Sequence, residues 1–259
     1  MYDLVIRNGC LIDGSGGEPF TADLAVRDGK IAAIGENLGP AERIIAAGRV
    51  VTPGFIDIHR HADGAVFRPD FGKLELKQGL TTIISGNCGL SAAPIDGAYR
   101  QAVLDYLHPI TGAMGAETPT ASMADYLEGA QCAQPAIHVG MLVGAGTARA
   151  AVQSRLYTAL SDGALGISLG LGYAPECFYT TEELVEVLRP FAHGAIPVTV
   201  HMREEGDGVL DALEEMLRVA EALDVPVQIS HLKAMGKRNW DSKIPKALAM
   251  LENARERGL

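Results

Sequence analysis

The sequence predicts an α/β chain, with a small β module over residues 1–52 and a parallel α/β sheet or barrel over 53–259. Three observations carry this. The first fifty residues are short β-leaning runs separated by turn dipeptides. From Val50 onward, short apolar runs alternate with helix-like segments. Several of those apolar runs then end in a histidine. Strand followed by helix, repeated, is the pattern of a parallel sheet covered by helices.

In the module, residues 2–7, 10–12, 22–27, 31–34 and 43–45 read as strands. Asn8-Gly9, Asp13-Gly14, Gly16-Gly17 and Asp28-Gly29 lie between them, and such pairs reverse a chain because Gly takes positive φ without a steric penalty. The expectation is a small antiparallel β module. The alternative is a hairpin decoration on the domain that follows.

In the second region the predicted strands are 54–59, 81–85, 136–143, 165–169, 197–201 and 225–231. Helices are predicted over 181–191, 208–223 and 244–257, the first opened by Thr180-Thr181-Glu182-Glu183, a capped start. Six strands are visible, whereas a closed (β/α)₈ barrel has eight and runs to about 250 residues by itself. The barrel is therefore expected to be incomplete at the C-terminal side. A polypeptide that ended at Leu259 is expected to be inactive and, with two open sheet edges, to self-associate.

Hydrophobic residues make up 47% of the 259, which supports a sizeable core, and charged residues 21% in no long block of one sign, which excludes global disorder. A net charge of −10 argues against a nucleic-acid-binding face. Cys10, Cys88, Cys132 and Cys177 are widely spaced and form no C-x-x-C pair, so they read as reduced thiols of a cytoplasmic protein. No basic-then-apolar leader and no run of about eighteen apolar residues is present, so neither secretion nor a membrane partner is expected.

The chemistry concentrates at strand ends. Ile56-Asp57-Ile58-His59-Arg60-His61 is an apolar run ending in His-x-His. Alternation along a strand points His59 and His61 the same way, at the end where α/β barrels place their sites. Two such imidazoles suit a divalent metal, although paired surface histidines would look the same. His201 and His231 each end another apolar run, thirty residues apart, the length of one strand–helix repeat. Four of the seven histidines thus fall at the ends of three predicted strands; His108, His138 and His193 lack that context. Cys88, in Ser85-Gly86-Asn87-Cys88-Gly89, follows another strand. It reads as a ligand to one metal, a bridge between two, or a small buried apolar residue, and spacing does not choose among these.

With these motifs assembled, the chain resembles the N-acyl-D-amino-acid deacylase (D-aminoacylase) branch of the amidohydrolase superfamily. The resemblance runs over nearly the whole chain. It is carried by Gly54-Phe55-Ile56-Asp57-Ile58-His59-Arg60-His61, Gly86-Asn87-Cys88-Gly89, Gly163-Ala164-Leu165-Gly166-Ile167-Ser168, Gly170-Leu171-Gly172-Tyr173, His201-Met202-Arg203-Glu204-Glu205 and Ser230-His231-Leu232-Lys233. Gly-Asn-Cys-Gly is the most specific of these. The resemblance implies a (β/α)₈ metal-dependent hydrolase barrel, here with its first six strand–helix units, and zinc as cofactor. Cys88, His201 and His231 would hold a tight zinc, and His59 and His61 would help hold a second, weaker one. Many relatives use a carboxylated lysine on the fourth strand, where this chain has Ser168, which favours Cys88 as the bridge. Lys233 would bind the substrate carboxylate, and Arg203 would pair with a nearby carboxylate. The implied reaction is attack of a zinc-bound hydroxide on the acyl carbonyl of an N-acyl-D-amino acid, a small-molecule substrate.

The chain departs from the family pattern in three places. The family's eighth-strand Asp, its expected general base, has no counterpart, so the catalytic residue is unassigned. Ala145 stands where the family usually has His, and the stretch 149–161 is short. Two other readings remain: an amidohydrolase acting on a cyclic amide or a dipeptide, and a truncated metal-binding remnant without catalysis.

Overall fold

A computed structural model of the chain describes residues 1–45, 48–98, 100–148 and 152–259. Two compact units are present, Met1–Phe55 and Ile56–Leu259.

The first unit is a five-stranded sheet of β1 (Tyr2–Leu11), β2 (Phe20–Arg27), β3 (Lys30–Gly35), β4 (Ala41–Ile45) and β5 (Val50–Val51). Strand order is β3-β2-β1-β4, with β5 also paired to β1. Leu11, Ala22 and Leu24 form its apolar centre against Val26 and Val51. The buried Asp23 carboxylate accepts from Arg7 Nη1 at 2.5 Å and from the Asn8 N–H at 2.8 Å.

Two expectations for this unit need correction. The sheet is mixed: β2 and β3 run antiparallel, but β4 and β5 lie parallel to β1. Asn8-Gly9 is not a turn between two strands. It is a bulge inside the single strand β1, where the register against β2 shifts between Ile6 and Gly9. Asn8 takes φ 47° there, and Asp23 receives its N–H, so the left-handed residue bends the strand without reversing it.

In the second unit, β6 (Phe55–Asp57), β7 (Leu80–Ser85) and β8 (His138–Met141) form one sheet; β9 (Val143–Gly144), β10 (Ile167–Gly170), β11 (Val198–His201) and β12 (Val227–Ile229) form another, in the order β12-β11-β10-β9. All neighbours among β9 to β12 are parallel, as are β7 and β8. The expected strand 136–143 is thus two short strands. Its first half pairs with β7, and after Leu142 the second half pairs with β10. The Leu142 N–H goes to Ser85 O and the Val143 N–H to Gly166 O, so the chain changes neighbour within one residue.

Helices α1 (Lys73–Lys77), α2 (Arg100–Thr111), α3 (Met123–Ala133), α4 (Ala145–Ala148), α5 (Val152–Ser161), α6 (Thr181–Leu188), α7 (Val209–Leu223) and α8 (Trp240–Glu256) intervene. Every residue of β10 is buried, as befits a parallel strand covered on both faces. On α7, Val209, Ala212, Leu213, Met216, Val219 and Leu223 make one buried face at helical spacing and join the main core with Ile167, Leu169, Val198 and Val200. The capping box at Thr180 and Glu183 is formed. The helix it opens stops at Leu188 and not at 191, because Pro190 offers no N–H and the chain continues as a 3₁₀ turn, Arg189–Phe191. Helix α8 begins at Trp240, four residues before the expected 244. The first three residues of the short stretch 149–161 lie outside the described residues. Among the described residues, no helix is long and apolar enough to cross a membrane.

Candidate metal centre

The site lies entirely in the second unit and grows from the carboxyl ends of its strands. Strand β7 ends at Ser85 and turns through Gly86, Asn87, Cys88 and Gly89, three of them at positive φ: 78° at Gly86, 58° at Cys88 and 71° at Gly89. The glycines are required by contact as well as by φ. A Cβ on Gly86 would lie 2.2 Å from Leu142 O, and one on Gly89 would lie 1.8 Å from Glu176 Oε2. Asn87, fully buried, donates to Ile84 O at 2.9 Å. Ser168 donates its hydroxyl to Gly86 O at 2.5 Å and accepts the Gly89 N–H at 3.0 Å. Tyr173 donates to Cys88 O. The turn is therefore fastened on three sides, and the Cys88 thiol has a fixed direction.

Strand β6 ends at Asp57, so His59 and His61 stand on the loop beyond it. The strand alternation expected to align them does not operate there; the loop brings them together, with ring centroids 5.4 Å apart. His201 is the last residue of β11, and His231 follows β12 at φ 37°. Cys88 Sγ lies 3.4 Å from His59 Nε2 and 3.8 Å from His231 Nε2. Among the described residues, two sets of ligand atoms each fall within 4.8 Å: His59, His61 and Cys88, and Cys88, His201 and His231. Cys88 belongs to both.

Electrostatics favour neutral imidazoles. Burial, helped by His61 and His231, pushes His59 down to about 4. Burial also lowers His61, and it lowers His201 against the opposing pull of Glu205. Burial pushes the Cys88 thiol up to about 11. The donor set fits a zinc-like cation. Neutral imidazoles keep lone pairs for it, and the Nδ1 atoms of His59 and His61 are buried without a hydrogen-bond partner. Thiolate and imidazole on one tetrahedral zinc lie roughly 3.5 Å apart given bonds of about 2.3 and 2.0 Å, close to the 3.4 and 3.8 Å found here.

Behind these residues sits Glu205, which sequence reasoning left without a role. It is buried, with Oε1 2.8 Å from His231 Nδ1 and Oε2 3.7 Å from His201 Nε2. Lys233, expected to meet a substrate carboxylate, has its Nζ 2.5 Å from Glu205 Oε1. The only sequence signal for Glu205 is its position four residues after His201. Tyr173 lies in the Gly170-Leu171-Gly172-Tyr173 motif, and nothing local in that motif signals its bond to the cysteine turn. Arg203 forms the expected carboxylate pair, with Glu215 at 3.0 Å. His108 and His138 stay exposed, and His193 pairs with Asp224 at the surface.

A cavity of about 570 Å³ opens over the five ligand candidates. Its other walls are Leu90, Tyr106, Pro109, Ile110 and Tyr173, mostly apolar. Helix α2 supplies three of them, held down by Leu104 and Leu107 packing on Leu90 and Ile95.

No family model matches the chain. Individual proteins do. It is 40% identical over 275 residues to a D-aminoacylase of Alcaligenes xylosoxydans xylosoxydans, an alignment that takes in 99% of this chain and 55% of that protein. A crystal structure of D-aminoacylase, described as defining a novel subset of amidohydrolases, superposes with a TM-score of 0.87 at 38% identity, over 99% of this chain and 56% of that one. An N-acyl-D-glutamate deacylase from Bordetella bronchiseptica, solved with zinc and a phosphonate mimic of the tetrahedral intermediate, superposes at 0.84 and 35% identity with the same coverage. The six strand positions are thus part of an amidohydrolase (β/α)₈ barrel, and the chain spans about half the length of the relatives it matches. Over nearly its whole length, the chain is similar in sequence and in fold to D-aminoacylases of the amidohydrolases.

Proposed function

We propose that this chain carries the metal centre of a zinc-dependent hydrolase that cleaves the amide bond of N-acyl-D-amino acids. The observation that carries the proposal is the Cys88 thiol, shared by two convergent sets of ligand atoms at the floor of a largely apolar cavity. Cys88, His201 and His231 would hold the tighter zinc, and His59 and His61, with the same thiol, a weaker one. A zinc held there would polarise an acyl carbonyl and lower the pKa of bound water to about 7. The residues of the chain do the rest. Leu90, Tyr106, Pro109 and Ile110 exclude water beside the reacting carbonyl. Tyr173 holds the Cys88 turn. Lys233, paired with Glu205 and with its side chain 42% exposed, would bind the substrate carboxylate. No general base is assigned within residues 1–259. The partner would be a small-molecule acyl amino acid.

The similarity to three deacylases acting on D-aminoacyl substrates, including N-acyl-D-aspartate and N-acyl-D-glutamate deacylases, supports the D configuration. The test has two readings. Elemental analysis after zinc loading finds zinc in the protein, reduced by Cys88→Ala and unchanged by Cys132→Ala. Chiral chromatography then finds D-amino acid released from N-acyl substrates ahead of the L form. No zinc uptake refutes the centre. Release of the L form at an equal or greater rate refutes the substrate.

A further inference from the structure

Helix α2 has two apolar sides, where a surface helix ordinarily has one. Leu104, Leu107 and Thr111 are buried, and the two leucines pack with Leu90 and Ile95. Gln101, Asp105 and His108, spaced i, i+4 and i+7, make an exposed polar side. Tyr106, Pro109 and Ile110 make the third side. It is apolar, yet Tyr106 and Ile110 are about half exposed, and all three residues line the cavity over the ligand candidates. This wall is fastened at several points. Tyr106 donates its hydroxyl to Ala174 O at 2.5 Å. Arg100, at the start of the helix, donates to Thr118 O at 2.9 Å and to Thr120 Oγ1 at 3.0 Å. Thr111 O, at its end, accepts the Gly64 N–H at 2.9 Å. A pocket wall built this way needs no ordering when a ligand arrives.

We propose that Tyr106 and Ile110 are specificity residues that bind an apolar acyl chain longer than acetyl, carried on the reacting carbonyl of the substrate. The proposal rests on the N-acyl-D-amino-acid reading above and adds the class of acyl group. Two arguments assign the wall to the acyl chain and not to the amino-acid end. The first is charge. Beyond the ligand candidates, the cavity is lined by Leu90, Tyr106, Pro109, Ile110 and Tyr173, with no charged side chain among the described residues. A substrate carboxylate placed there would lose its water and gain no partner. Lys233, the cation proposed for that carboxylate, is not one of the walls. Its Nζ stands 3.1 Å from His231 Nδ1, whereas the Cys88 thiol is on the Nε2 side of the ring. The second argument is the shape of the amide. It is planar and trans, so the acyl carbon and the α-carbon of the amino acid leave the reacting carbonyl in opposite directions. With the carboxylate end turned away from the apolar wall, the acyl chain is the end that meets it. Each methylene buried there tightens binding by up to about fourfold.

The experiment compares two isomers. N-butanoyl-D-alanine and N-acetyl-D-norvaline each add two methylenes to N-acetyl-D-alanine, the first on the acyl chain and the second on the side chain. Calorimetric titration of the zinc-free chain, where zinc-dependent turnover does not interfere, gives the three dissociation constants. The butanoyl compound should bind about 4- to 16-fold tighter than N-acetyl-D-alanine, and the norvaline isomer should gain less. Ile110→Asn places an amide in the wall. It should cut the butanoyl gain to about twofold or less and leave N-acetyl-D-alanine binding as in wild type. Gln101→Ala, on the polar side of the same helix, should leave the whole series unchanged. An equal or larger gain for the norvaline isomer overturns the proposal, and so does the absence of any butanoyl gain. A gain that survives Ile110→Asn, or that falls equally in Gln101→Ala, also overturns it. If Ile110→Asn does not fold, the two isomers on the wild-type chain decide alone. Zinc uptake is measured separately. A chain that takes up no zinc refutes the metal centre, whereas a chain that binds zinc but shows no acyl preference refutes the wall.

Discussion

Gly89→Ala addresses the turn that aims the Cys88 thiol. Gly89 sits at φ 71°, where an L side chain costs about 1–2 kcal/mol. Its Cβ would also lie 1.8 Å from Glu176 Oε2 and 2.7 Å from the backbone N of Gly170. The carboxylate has little room to retreat, since Glu176 is 1% exposed and accepts the Gly170 N–H at 2.8 Å. Forcing atoms into a packed site adds roughly 1–3 kcal/mol, for a total loss of about 2–5 kcal/mol. Gly97→Ala is the control: φ is 72° there and nothing lies within 4 Å of the added Cβ, so it incurs only the conformational part. Urea unfolding of the metal-free proteins measures both, and chelator competition measures zinc. Gly89→Ala should exceed Gly97→Ala by the collision, about 1–3 kcal/mol, and should alone weaken zinc binding, because relief requires the Cys88 turn to move. Equal losses in the two variants, with zinc affinity unchanged, would refute the argument that glycine is required there by contact.

Two further outcomes follow from buried charges. Arg203 donates to both oxygens of Glu215 at 3.1 and 3.0 Å and to the Cys177 and Tyr179 carbonyls at 2.7 and 2.8 Å. Breaking a fully buried pair costs about 3–5 kcal/mol; with Arg203 31% exposed, Arg203→Ala should cost roughly 2–4. Arg203→Ala/Glu215→Ala should recover part of that in urea unfolding, and a double variant no more stable than the single would count against an unpaired glutamate as the cause. In the first unit, the Asn8 N–H, and then Arg7, hold the Asp23 carboxyl below the usual range. A depressed carboxyl gives stability that is present above its unfolded pKa of about 3.9 and lost as pH falls through the folded value. Asp23→Asn should therefore lower stability near neutrality and flatten its decline on acidification; thermal melts from pH 6 to 3 that stay parallel to wild type would exclude this role.

Much of this molecule was legible along the chain because the relevant signals are local. Apolar runs separated by helical periodicity mark the strands of the barrel wall, and Thr180 with Glu183 marks a helix start that forms as written. His59, His61, Cys88, His201 and His231 could be singled out because each follows an apolar run, and parallel strands of similar length bring such ends to one rim. Other features depend on which neighbour a segment meets. Residues 136–143 look like one strand because hydrophobicity does not encode pairing partners; Leu142 becomes a break only because Ser85 and Gly166 lie on different sides of it. Asn8-Gly9 has the composition of a turn and becomes a bulge because a buried Asp23 waits opposite it. Glu205 and Lys233, twenty-eight residues apart, carry no shared pattern, yet they meet at 2.5 Å beside His231. The sequence by itself determined the alternating α/β architecture and the residues able to bind a metal, since both follow from local periodicity and side-chain chemistry. Only the tertiary structure decided how those residues are oriented, because orientation is set by side chains remote in sequence: hydrogen bonds from Tyr173 and Ser168 on the cysteine turn, and the Glu205 carboxylate close to two histidines.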